Sequence, residues 1–458
     1  MLVSNSLMHR YFFVCYDHST NTRSVISVSI KSVKHIRLLA LGSQGDVQPY
    51  VALGLGLQQA GFDVSLGTTA EFRPFVEAWG LPCVTTPLKL FSVIKQDTMN
   101  EDKATTSLHK HRLKEQRRAQ KIFLQLVRDI VPELARGADL LLYSFSTFLA
   151  APHVAEKLGI PALLAAFQPV MIPTATFPSN RAPALPLGGW YNRLTYSWSE
   201  RLTWLFVQHS LNAWRREKLH LPNLDMQGFL APLHGKAQPI LFGLSPTIVP
   251  RPSDWGEHIH LTGYWFLPPA SAFQPSAELS AFLQAGTPPI SIGFGSMRSL
   301  YSHAMLDLLK AAIKQAGVRA ILIANRKHLP STNLPEQIFL VDHIPHDWLF
   351  PRVAAAVHHG GAGTTGATLR AGIPTIVLPY LSGIDQAFWG KRVAELGVGP
   401  APIPFSQLTA DSLAQAIRQA ISDEAMRKKA AWIGEQLRAE NGVGNAAQVI
   451  IDFVNKGS

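Results

Sequence analysis

The residues best suited to chemistry form three short runs. His358-His359-Gly360-Gly361-Ala362-Gly363-Thr364-Thr365 follows the apolar, strand-like Val353–Val357 and precedes the helical pattern Gly366-Ala367-Thr368-Leu369-Arg370-Ala371. A strand that stops at clustered glycines and restarts as a helix leaves free backbone N–H groups at the helix N-terminus, where the positive end of the helix dipole also lies. That combination suits a phosphate or diphosphate. The glycines admit an anion close to the backbone, and threonine hydroxyls and a histidine add donors. Twenty residues beyond Thr365 comes Asp385-Gln386, after the strand-like Thr375–Leu378 and a turn over 379–384. An acid–amide pair suits a polyhydroxylated ligand, so the two runs read together as a nucleotide-sugar site. The third run, Leu41-Gly42-Ser43-Gln44-Gly45-Asp46-Val47-Gln48-Pro49, closes an N-terminal strand. Asp46 is there either a helix cap or a carboxylate placed to take a proton from a hydroxyl.

The elements that must position these runs alternate along the chain. Ile36–Leu41 reads as a buried strand, Gly42–Gly45 as a tight turn, and Pro49–Ala60 as a helix ended by Gly61. Strand signals recur at Phe62–Gly67, Leu81–Val84, Leu140–Tyr143 and Ala162–Ala166, with helical patterns over Glu71–Trp79 and Ala150–Leu158. The scheme restarts with strands at Ile290–Gly293, Arg319–Ala324 and Ile338–Val341 and a helix at His303–Ala316. Such alternation predicts parallel βαβ units with helices on both sheet faces. The expected organisation is a leader over 1–35, an N-terminal domain over 36–245, a Pro/Trp-rich connection over 246–270 and a C-terminal domain over 271–458. Ligands of open parallel sheets bind at the carboxyl ends of the strands, so the two halves should face each other across a cleft. A nicotinamide oxidoreductase is disfavoured. The first turn lacks G-x-G-x-x-G, and no acid ends the second strand, which reads Ser65-Leu66-Gly67-Thr68.

Size and composition agree with two domains: 458 residues exceed one ordinary core, and 47% hydrophobic with 16% charged residues describes a packed globular chain. The net charge of +11 favours anionic partners, whether nucleic acid, an acidic membrane surface or a phosphorylated substrate. Much of the excess lies in Lys103–Lys121, on a predicted helix that is either a solvated face or a membrane-contacting patch. No zinc-finger or RNA-recognition signature accompanies it, so nucleic acid is not an expected partner. Cys15 and Cys83 have no metal-type spacing and suit a reducing compartment. No apolar run reaches the ~18–20 residues that cross a bilayer. Met1–His35 is basic and Ser-rich and lacks a convincing signal-peptide core, and it is expected to be a disordered leader outside the fold.

Taken together, the runs Gly42–Pro49, His358–Thr365 and Asp385-Gln386 resemble the family-one glycosyltransferases of GT-B fold. The likeness is nearest to the sterol and lipid glucosyltransferases and more distant to the antibiotic glycosyltransferases. It extends over residues 36–450 and includes Gly293-Phe294-Gly295-Ser296-Met297, Ile344-Pro345-His346-Asp347-Trp348-Leu349-Phe350, Tyr191–Tyr196 and Asn212–Arg216. The resemblance implies an α/β protein of two doubly wound, Rossmann-like domains, with a C-terminal helix returning to the first. It implies that Asp46 is the base for the acceptor hydroxyl. It further implies that His359, Gly361, Gly363, Thr364, Thr365 and Ser296 hold the donor diphosphate, that Asp385 and Gln386 hold sugar hydroxyls, and that the stretch from His343 to Trp348 flanks the nucleobase. Two departures stand out. Gln44 replaces an arginine frequent in the family, and His343 stands where many plant relatives stack a tryptophan on uracil.

The chemistry expected of these parts is inverting hexosyl transfer to a hydroxyl of a lipophilic acceptor, and the resemblance implies glucose from a UDP-sugar and an acceptor such as a sterol. The helix N-terminus would stabilise the departing diphosphate, and the chain holds no Asp-x-Asp triplet, so no metal or other cofactor is expected. Aromatic and proline residues between Phe167 and Trp214, among them Phe177, Trp190 and Tyr191, form either an acceptor pocket or ordinary core. The expected location is cytoplasmic, with peripheral contact to the inner membrane surface. Alternatives are a nucleotide-sugar epimerase or hydrolase of the same architecture, a transferase acting on an antibiotic or phenolic acceptor, and a non-catalytic nucleotide-sugar binder.

Overall fold

The computed structural model describes residues 10–17, 22–29, 33–86, 127–169, 172–183, 185–269, 273–295, 301–330, 333–380 and 385–457. The basic run 103–121 and Ser296 lie outside the described residues. Within the first 35 residues, expected to be a disordered leader, β1 (Arg10–Asp17) and β2 (Thr22–Ser29) instead pair as an antiparallel ribbon.

The N-terminal sheet is built from β3 (His35–Leu39), β4 (Asp63–Thr69), β5 (Cys83–Thr86), β6 (Leu140–Tyr143), β7 (Ala162–Ala166), β8 (Ile240–Phe242) and β9 (Ile259–Leu261). All neighbours run parallel, in the order β5-β4-β3-β6-β7-β8-β9. Every residue of β6 and β7 is buried, which is why these strands read as unbroken apolar runs: helices cover both faces. The intervening helices are α1 (Gln44–Gln59), α2 (Arg73–Ala78), α3 (Ala151–Leu158), α4 (Gly189–Trp214) and α5 (Met226–His234). Helix α1 starts well before Pro49, where the sequence placed its first turn. Ser43 and Asp46 begin the helix as a capping box, and Pro49 is accommodated inside it.

The C-terminal sheet contains β10 (Ile290–Gly293), β11 (Ala320–Ile323), β12 (Ile338–Val341), β13 (Ala355–His358) and β14 (Thr375–Val377), parallel in the order β12-β11-β10-β13-β14. Its helices are α6 (Ala277–Gln284), α7 (His303–Ala316), α8 (His346–Leu349), α9 (Ala362–Ala371), α10 (Asp385–Glu395), α11 (Ala410–Ser422), α12 (Glu424–Ala439) and α13 (Gly442–Gly457).

Two features bind the halves together. The segment 246–270, expected as a connection, supplies β9 to the first sheet and buries Trp255 and Trp265 in the N-terminal core, Trp255 stacked on Phe242 at 5.4 Å. Helix α13 buries Ala446, Ala447, Ile450, Phe453 and Val454 among α1 and β3 residues, so the last helix of the chain completes the first domain's core. A second buried cluster runs from Leu141 and Phe242 through Tyr264 to Leu369 and Trp389, crossing from one sheet to the other.

Candidate active site

Each sheet reverses its strand order once, between β3 and β6 in the first and between β10 and β13 in the second. A crevice opens beyond the carboxyl ends of the strands at such reversals. The turn carrying Asp46 leaves β3 at one of them, and His359-Gly360-Gly361 leaves β13 at the other.

Asp46 sits in the first turn of α1. Its Oδ2 accepts the Ser43 backbone N–H at 2.7 Å and the Ser43 hydroxyl at 2.9 Å. The carboxylate folds back over Gly42, whose φ is +154° and where any Cβ would overlap it, so glycine is required there. Asp46 is open to solvent, yet the cleft walls strip hydration from its carboxyl and push it above its ordinary value, against the pull of the two Ser43 hydrogen bonds. One turn further on, Tyr50 donates its hydroxyl to the Ala165 carbonyl on β7. Its ring meets Phe167 and Trp265 edge-on at 5.3 and 6.0 Å. This clamp fixes the turn that carries Asp46 against the end of β7.

Gln168 lies two residues beyond β7. From the N-terminal domain it hydrogen-bonds Asp385, the first residue of α10 in the C-terminal domain. Asp385 is buried and also accepts from the Trp389 indole N–H at 3.2 Å. Burial first, and then the charge of Asp46, push the Asp385 carboxyl up to about 7. Two carboxylates from opposite domains therefore face the same space. Gln168 was not singled out from sequence. The available signal was a polar side chain two residues beyond an all-apolar strand, where parallel sheets present groups to ligands.

The start of α9 has the glycines and free helix-end amides that suit an anion. Gly361 caps it with extended backbone, Gly363 is exposed with nothing within 4 Å of an added Cβ, and Thr364 is half-buried. The first amides of this helix have no intrahelical acceptor and point out along its dipole. The His359 ring lies between Gly295, beyond β10, and Gly361, with a Cβ on either glycine reaching to 3.0 and 2.6 Å of it. Burial pushes His359 down to about 4, and pushes His346 to about 4 with added repulsion from His343. His358 is held well below its ordinary value by burial and by His359 and His346. Its Nδ1 accepts the Gly360 N–H at 2.9 Å, which places the proton of the neutral ring on Nε2. At neutral pH these rings offer donors without charge, and the positive field comes from the helix end.

Several expected site residues are placed elsewhere. The Thr365 hydroxyl is fully buried and donates to the Gly361 carbonyl at 2.9 Å, so it braces the glycine turn instead of facing a ligand. Gln386 accepts the Tyr380 N–H at 2.9 Å through its side-chain oxygen and holds the chain after β14. Trp348 packs on Phe273 at 5.0 Å and carries the Arg352 guanidinium 4.3 Å from its ring centre. His346, two residues earlier on α8, stacks on Phe350 with ring centres 4.5 Å apart. His343 is exposed near His346. Phe177 spans the domain junction, its ring 5.7 Å from Phe388 of α10 and 6.4 Å from Trp255. Trp190 is 66% exposed on α4, and Tyr191 donates its hydroxyl to Pro183 O. Neither is tied to the residues around Asp46. No group of His, Cys, Asp and Glu suited to hold a metal ion occurs among the described residues.

Residues 36–176 match the Glycosyltransferase family 28 N-terminal domain, and residues 309–452 match the Erythromycin biosynthesis protein CIII-like C-terminal domain. The solved glycotransferase of kitacinnamycin aligns with a TM-score of 0.68 at 18% identity, over 92% of this chain and 99% of that one. Glycosyltransferase VinC, solved in complex with dTDP, aligns at 0.63 and 19% identity over 92% and 100%. The architecture is the two-domain GT-B fold of glycosyltransferases. A sterol 3-beta-glucosyltransferase of Arabidopsis thaliana is 33% identical over 438 residues, covering 92% of this chain and 68% of that protein. One from Debaryomyces hansenii is 37% identical over 90% of this chain and 26% of its own length, so the chain spans about a quarter of that fungal relative. The chain belongs to the sterol 3-beta-glucosyltransferase family.

Proposed function

We propose that this chain transfers glucose from a UDP-sugar to the hydroxyl of a sterol or a similarly lipophilic alcohol, with inversion and without a metal ion. The observation that carries the reading is the meeting of Asp46 and Asp385 from opposite domains, beside the amide-lined start of α9. Asp46 takes the acceptor proton as the hydroxyl oxygen bonds to the anomeric carbon from the face opposite the diphosphate. The anomeric C–O bond breaks, and its electron pair goes to the β-phosphate oxygen, where the α9 amides and His359 receive the charge. Asp385, steadied by Trp389 and Gln168, orients the sugar hydroxyls. The names of the relatives support glucose and a sterol for this chain. We place the reaction at the cytoplasmic side of a membrane, with peripheral contact.

The test is a panel of labelled UDP- and dTDP-sugars against sterols, phenolics and lipid alcohols, read by mass spectrometry with and without chelator. A sterol glycoside of inverted anomeric configuration, formed equally in chelator, is the expected product. Rapid release of free or epimerised sugar from the donor alone would instead assign an epimerase or hydrolase.

A further inference from the structure

Helix α4 carries apolar side chains on two opposite faces. One face buries Tyr196, Val207, Leu211 and Trp214 in the N-terminal domain. The opposite face exposes Trp190, Leu194, Trp198, Leu202, Leu205 and Phe206 at 44–66%, with Phe206 at 81%. Five of these recur at i+4 spacing from 190 to 206, which makes one stripe about 24 Å long at 1.5 Å per residue. Isolated exposed apolar residues need no explanation, but a continuous stripe of this kind marks an interaction surface.

We propose that this face of α4 docks in the interfacial layer of an anionic lipid bilayer, so that the N-terminal domain draws its acceptor from the membrane. Three observations select a bilayer over another protein. Arg201 is exposed at the edge of the stripe, and the only acid in the helix, Glu200, is paired with His234 at 2.8 Å. The chain as a whole carries +11, and anionic headgroups complement both. The stripe contains two tryptophans, whose apolar body and polar N–H suit the boundary between headgroups and acyl chains. No helix among the described residues is long and apolar enough to cross a membrane, so α4 would lie along the surface.

The position links docking to the cleft. At the first turns of α4, Asn192 donates to Ala175 O at 2.8 Å, and the Thr195 hydroxyl accepts the Ser179 N–H at 2.9 Å. Between these anchors Phe177 reaches Phe388, three residues beyond Asp385. The membrane-facing helix is thus tied to the segment that borders the reacting carboxylates. The inference rests on the lipophilic-acceptor reading, and its test separates the two.

The full chain and its Trp198→Ser/Phe206→Ser variant are sedimented with vesicles of phosphatidylcholine alone and of an equimolar mixture with phosphatidylglycerol. Wild type is expected to bind the mixed vesicles more tightly than the neutral ones. The variant should bind the mixed vesicles at least about tenfold more weakly, with an unchanged melting temperature and unchanged UDP affinity. Equal binding of the two proteins, or no binding by wild type, overturns the proposal. A lower melting temperature in the variant overturns it by showing the stripe covered by the chain itself, and a change in oligomeric state by showing a second copy on it. The lipophilic-acceptor reading is judged separately by product formation from detergent-dispersed sterol, which needs no vesicle.

Discussion

Replacing Asp46 with Asn removes the proposed base while keeping its shape, and the structure lets the consequences be separated. The amide oxygen can still accept the Ser43 N–H that the carboxylate holds at 2.7 Å, so the start of α1 should persist at a cost of no more than about 1 kcal/mol. The chemical step loses a general base, which contributes about 100- to 10,000-fold, or about 3–5 kcal/mol at 1.36 kcal/mol per tenfold. A third effect is electrostatic: burial and then the charge of Asp46 raise Asp385 to about 7, so Asp385 should titrate at lower pH in the variant. The assay is turnover of the donor with a sterol acceptor, alongside calorimetric nucleotide binding and thermal unfolding. The turnover number should fall at least about 100-fold, while nucleotide affinity stays within about threefold, roughly 0.6 kcal/mol. The ascending limb of the pH–rate profile governed by Asp46 should vanish. Turnover within about tenfold of wild type, or a loss of nucleotide binding as large as the loss of turnover, would refute the assignment of Asp46 as the base.

Gly363→Ala meets no neighbour within 4 Å and gains helix propensity, so the fold should gain about 0.5–1 kcal/mol. Nucleotide affinity should nevertheless drop at least about tenfold, because the methyl occupies the space where the diphosphate approaches the amides; titration calorimetry showing unchanged affinity removes α9 from the donor site. Asp385 has a folded value of about 7 against an ordinary 3.8, so it favours folding fully below about pH 4, and that contribution is lost as pH rises through 7. Asp385→Asn should therefore be more stable than wild type at pH 8, by up to about 4 kcal/mol, with the gap closing toward pH 4; an equal melting temperature for both at pH 8 contradicts this. Arg215 is fully buried, with its guanidinium at 2.7 and 3.0 Å from the Glu156 oxygens. Glu156→Ala leaves that charge unpaired and should cost about 3–5 kcal/mol in denaturant unfolding, with nucleotide affinity unchanged.

The strands could be read from the amino-acid order alone, because buried parallel strands are continuous apolar runs. Leu140–Tyr143, Ala162–Ala166 and Ile290–Gly293 were legible to the residue. The glycine turn before α9 was legible as well, because its glycines and the following helix are encoded within a few neighbouring positions. Which polar groups of those motifs face the cleft was set by long-range packing. Thr365 and Gln386 belong to the right motifs, but their side chains bond to the backbone beside them, and Trp348 turns toward Phe273 while His346 stacks on Phe350. Gln168 acquires a role only because β7 ends opposite α10, and Trp255 and Trp265 become core only because β9 closes the first sheet. The reason is one of range. Burial periodicity and turn chemistry act over a few residues, whereas the direction of a hydroxyl, an amide or an indole is set by partners far away in the chain, which folding alone brings within hydrogen-bonding or packing distance.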